Sequence, residues 1–117
     1  MVGVQYVFLN FNRPYVKWHC HDFYEIFFVT KGSILHHINN RIEELTAGAL
    51  VFIRPEDVHR FESAEQKECH YINIAVSAHS IERLFSFLGE GFPSVSLVKA
   101  STPPCVILSE TESKLLI

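Results

Sequence analysis

The residues best suited to chemistry in this chain are His19, His21, Glu25 and His59. Three imidazoles and a carboxylate make a mixed nitrogen and oxygen ligand set, which suits a divalent transition metal such as Zn, Ni, Fe or Mn. His19 and His21 are two residues apart, so on an extended strand both point to one face. Glu25 follows His21 by four residues, roughly 13 Å of rise along one straight strand at about 3.3 Å per residue. That is too far for a shared ion. If the set converges, the chain turns or bulges between His21 and Glu25, where Asp22 suits a turn. His59 then has to arrive from a distant strand. Such convergence requires a closed or nearly closed β-structure whose walls face one pocket.

Bulk properties narrow the context. The 117 residues suffice for one domain with a real core and not for two. Ten Phe and a 13% aromatic content lean the composition toward β-structure. No run approaches the ~18 apolar residues of a membrane span, and residues 1–5 lack the basic start of a signal peptide. Cys20, Cys69 and Cys105 are odd in number and form no C-x-x-C. This favours free thiols in a reducing, cytoplasmic setting over a disulfide framework or a cysteine zinc site. Net charge is −3 with no Lys/Arg cluster, a poor surface for gripping phosphates. Any contact with DNA must come from a domain absent from this chain.

The elements that must position these residues follow from alternation and turn chemistry. Strands are expected over Val4–Phe11, Tyr15–His21, Tyr24–Thr30, Ser33–Ile38, Arg41–Leu45, Ala49–Ile53, Val58–Phe61 and Glu68–Val76. Asn39-Asn40 predicts a two-residue type I′ hairpin, because Asn tolerates positive φ. Strands at this spacing form a sandwich or a barrel. The period then changes. Ile81, Leu84, Phe85 and Leu88 mark one face of a helix, with Ser80 as N-cap and Gly89 just past its end. A short apolar run at Cys105–Leu108 precedes Ser109-x-x-Glu112, a capping box that announces a second helix. That helix stops on Leu115, Leu116 and Ile117, as a truncated helix or one that packs on a partner would.

At this point the residues resemble a family. Cupins carry a first motif G-x5-H-x-H-x3,4-E-x6-G, matched here at His19, His21, Glu25 and Gly32. Their second motif, G-x5-P-x-G-x2-H-x3-N, is matched at Gly48 and His59. Arg13, Arg54, Glu56 and Ser63 stand where the family has Gly, Pro, Gly and Asn, so the turns depart while the four ligand positions are kept. The stretch from His19 to Ile26 and the run from Leu45 to His59 are similar to the N-terminal ligand-sensing domain of AraC-type transcription regulators. Among these, the regulators of chitobiose-type sugar operons look nearest.

The resemblance implies a mainly β fold, a cupin-like barrel (double-stranded β-helix or jelly roll) with one or two C-terminal helices. It makes residues 1–117 a single domain, with the barrel over 1–76 and a helical and strand extension over 77–117. It implies an effector-sensing and dimerisation role rather than an enzyme. The effector would be a small molecule, with a sugar among the candidates, bound beside a metal at His19, His21, Glu25 and His59. Phe23, Phe27, Phe52 and Tyr71 are the candidate pocket walls. Leu115, Leu116 and Ile117 are candidates for a homodimer contact. The rival is a metal-dependent cupin enzyme of dioxygenase or isomerase type, for which Glu56 and Asp57 are the nearest acid/base candidates. His36 and His37 are expected to be exposed or edge residues, with at most one facing a pocket. Arg54 is expected either to hold an anionic group or to be a solvated turn residue.

Overall fold

The computed structural model describes residues 2–9, 15–19, 23–64 and 67–116, with side chains over 23–64 and 67–115. Nine strands form two sheets among these residues. The strands are β1 (Val2–Leu9), β2 (Tyr15–His19), β3 (Phe23–Lys31), β4 (Ser33–Ile38), β5 (Arg41–Thr46), β6 (Ala49–Ile53), β7 (His59–Ser63), β8 (Cys69–Ser77) and β9 (Cys105–Ile107). One sheet runs β1-β8-β3-β6-β9 and the other β2-β7-β4-β5, with every pairing antiparallel. Strand β2 lies in one sheet and β3 in the other. The turn expected between His21 and Glu25, at Asp22, lies outside the described residues.

The alternating residues of β3, β4, β6, β7 and β8 pack face to face between the sheets. Phe27, Val29, Ile34, Ile38, Val51, Ile53, Phe61 and Tyr71 are buried there. Gly32 and Gly48 hold the end of this core. Both have positive φ, 78° and 101°. A Cβ on Gly32 would stand 2.5 Å from the Glu68 carbonyl oxygen, and one on Gly48 would stand 2.8 Å from that of Leu108. Ala47 donates to the Gly32 carbonyl, and Gly48 donates to that of Val29, so the two motif glycines brace adjoining turns.

Two local expectations change. Asn39 takes positive φ (53°) and Asn40 does not, so the pair lacks the two positive φ values of a type I′ turn. The reason is tertiary. Asn39 and Val58 exchange hydrogen bonds, and the Asn39 amide donates to Asp57, so the turn is shaped by the β6–β7 connection. Helix α1 spans Ala78–Leu88 and its N-cap is Ser77, whose Oγ accepts from the Ser80 N–H. Gly89 closes it as expected, donating to the Phe85 carbonyl. Helix α2 (Ser94–Lys99) follows. Helix α3 (Glu110–Leu116) opens on the Ser109–Glu112 capping box, with both reciprocal hydrogen bonds formed.

Candidate functional site

Glu25 sits on β3 between Ala75 of β8 and Ile53 of β6, in a row of the wall that faces the interior. Only 5% of it is exposed. A carboxylate buried among apolar neighbours has to be met by proton donors or by a cation. His59 meets it from the opposite sheet, at 0% exposure, with Nε2 3.4 Å from Glu25 Oε2. A charge-assisted hydrogen bond is ordinarily about 2.7–2.9 Å long. Two ligand atoms bound to one ion at about 2.1 Å, at tetrahedral or octahedral angles, stand about 3.0–3.4 Å apart. The Glu25–His59 separation therefore fits two atoms that share an ion.

The β2–β7 pairing places His19 directly across from His59 in register. His21, and the side chain of His19, lie outside the described residues. Among the described residues no group of three or more His, Cys, Asp or Glu side chains is arranged to hold a metal.

The other imidazole at this site is one that sequence reasoning set aside. His36 is 1% exposed, and its Nε2 lies 3.1 Å from Nδ1 of His59. The expectation of an exposed or edge histidine fails because His36 shares strand parity with Ile34 and Ile38, both core residues. That parity was the available signal. His37 points the other way, onto Arg60 and Glu62, and is also largely covered. Aromatic rings enclose the buried pair. His36 stacks on Phe61 at 4.8 Å and meets the edge of Phe27 at 5.1 Å, and Phe61 packs on Tyr71.

The four candidate pocket residues separate by face. Phe27 and Tyr71 lie in the interior, Phe27 against His36 and Tyr71 against Phe61. Phe23 is half-buried on the strand face of Glu25, across from Ser77. Phe52 lies on the opposite face of its sheet, because its parity on β6 is opposite to that of Val51 and Ile53. There it stacks on Tyr24 at 5.3 Å and lines an apolar cavity of about 340 Å³ with Ile26, Ile81, Phe85 and Leu97. That cavity lies between the outside of the sheet and the helices, not in the barrel.

Arg54 is neither solvated nor a surface anion holder. It is 2% exposed, and its Nε donates to Asp57 Oδ2 at 2.7 Å. Its Nη atoms donate to the carbonyls of Leu97 and Ala100 at 2.8 and 2.9 Å, which ties the β6–β7 turn to the end of α2. Burial alone would raise the Asp57 pKa. Hydrogen bonds from the Arg54 side chain and backbone and from Asn39, with the Arg54 charge, outweigh it and hold the carboxyl below its ordinary value. Both Asp57 oxygens are engaged in this way, which gives Asp57 a structural role in the β6–β7 turn.

Comparison with known proteins bears on the family and the fold. Residues 2–109 match the AraC-like ligand binding domain. The HTH-type transcriptional activator RhaS of Yersinia pestis (strain Pestoides F) is 35% identical over 75 residues, 64% of this chain and 27% of that protein. The chain thus spans about a quarter of the length of such relatives. A cupin protein from Bacteroides fragilis superposes with a TM-score of 0.62 at 25% identity, covering 68% of each chain. A cupin 2 conserved barrel domain protein from Salinispora arenicola superposes with a TM-score of 0.60 at 17% identity, over 70% of this chain and 68% of that one. No described helix is long and apolar enough to cross a membrane. A two-sheet cupin fold, followed by short helices and matched over nearly its whole length, places this chain in the AraC-like ligand binding domain family, the ligand-binding part of AraC-type transcription regulators.

Proposed function

We propose that this domain senses a small sugar-class effector inside the barrel, beside a divalent transition metal held by His19, His21, Glu25 and His59. The observation that carries this reading is the approach of Glu25 Oε2 and His59 Nε2 from opposite sheets at the centre of a family-typical ligand-binding barrel. The metal would supply a fixed positive charge where a hydroxyl or carbonyl oxygen of the effector is held. Phe27 and Tyr71 belong to the interior aromatic cluster that packs around His36 and Phe61. The RhaS likeness supports a sugar among small effectors. The regulator would work in the cytoplasm as a homodimer, with DNA contacts made by a domain outside this chain.

Effector binding acts by population shift, which requires tighter binding to one arrangement of barrel and helices than to the other. The Arg54–Asp57 pair is a built link for this. It starts one residue after Ile53, the register partner of Glu25, and ends on the carbonyls at the end of α2. The test is calorimetric titration of the metal-loaded protein with a panel of aldopentoses, hexoses and deoxyhexoses. Saturable binding of one sugar, lost on chelation, is expected. No heat from any of them, with and without metal, contradicts the sugar reading.

A further inference from the structure

We infer that His36 is the positioning residue for His59: its ring holds Nδ1 of His59 and thereby aims Nε2 at Glu25. The inference deepens the metal reading and rests on it for its consequence in affinity. A neutral imidazole buried in an apolar box is costly unless its ring nitrogens are bonded. His36 is at 1% exposure, stacked on Phe61 (interplanar angle 18°) and closed off by the edge of Phe27 (79°). These contacts fix the His36 ring. Its Nε2 then stands 3.1 Å from Nδ1 of His59, whose own ring is set nearly perpendicular to it at 83°. A histidine that offers Nε2 to a metal carries its proton on Nδ1 and needs an acceptor there, because that bond fixes both tautomer and ring direction. His36 Nε2 is placed to be that acceptor, with the His36 proton then on its Nδ1.

Phe61 locks both rings, since it also meets His59 edge-on at 5.0 Å. The consequence is specific. Removing the His36 nitrogens while keeping an aromatic of similar shape should leave the barrel folded and free the His59 ring to choose the other tautomer.

The experiment uses His36→Phe and His36→Gln beside the unaltered protein. Long-range proton–nitrogen NMR reads the His59 tautomer in the metal-free state, and Co²⁺ titration reads affinity and the ligand-field spectrum. Thermal unfolding checks the fold. The expected result is one fixed His59 tautomer in the parent and a changed or mixed one in His36→Phe. Co²⁺ affinity should fall about 10–100-fold in His36→Phe, with an altered spectrum. His36→Gln, which can still accept a hydrogen bond, should recover most of the loss. An unchanged tautomer together with unchanged Co²⁺ affinity in His36→Phe overturns the inference. A parent protein that binds no Co²⁺ overturns the metal reading instead, while a tautomer change in His36→Phe would still uphold the positioning of His59.

Discussion

A single separation, the 3.4 Å between Glu25 and His59, carries the proposed metal site. The approach of Glu25 and His59 was legible in the sequence through motif spacing, since a cation would need donors from several strands and few arrangements bring them together. His36 was missed for a physical reason. An adjacent pair, His36-His37, has no ligand spacing, and only its parity with Ile34 and Ile38 marks the inward member. Replacing His21 or His59 with Ala should abolish stoichiometric metal, measured by elemental analysis of purified protein. Unchanged occupancy would reject the assignment. A second prediction concerns acid. The Asp57 pKa is lowered in the folded state, so its stabilising contribution is fully present above the unfolded carboxylate value of about 3.9. It is lost as pH falls through the lowered folded value. Asp57→Asn should therefore unfold more readily at pH 7, and its stability should decline less steeply between about pH 4 and pH 2, as denaturant titrations at stepped pH would show.

Among the elements, the strands were readable because alternation and turn residues agree along the whole β region, from Ser33–Ile38 through Cys69–Ser77. The α3 capping box was readable because both of its hydrogen bonds are local. The Arg54 bonds to Leu97 and Ala100 were not, since these acceptors lie more than forty residues further along the chain, where no local pattern can announce them. This clamp makes a distinct prediction. Arg54→Met leaves the Asp57 carboxylate buried without its cation and should cost about 3–5 kcal/mol. The double variant Arg54→Met/Asp57→Asn should cost less than the sum of the two single changes, because the uncompensated charge is gone. Additive losses in chemical denaturation would show that the two side chains stabilise the turn independently.

In the whole molecule, the helices leave large apolar side chains in solvent. Phe87 is 86% exposed and Leu115 84%. Of the expected homodimer contact at Leu115, Leu116 and Ile117, only the Leu115 side chain is among the described residues; Ile117 and the Leu116 side chain lie outside them. If α3 carries the dimer, Leu115→Glu should shift this chain from dimer to monomer in sedimentation velocity without altering metal uptake. An unchanged sedimentation coefficient would move the contact elsewhere. Fold class was accessible from sequence because the cupin motifs encode a closed wall. The placement of Phe52 was less so, because it depends on which face of the sheet the helices cover. The claim on which the account turns is that Glu25 and His59 share one ion between the sheets. An anomalous difference map collected at the absorption edge of Ni or Zn, from crystals grown with that metal, tests it most directly. One peak is expected, about 2.0–2.2 Å from both Glu25 Oε2 and His59 Nε2. A map with no peak there, or with its strongest peak on the surface histidines, would contradict it.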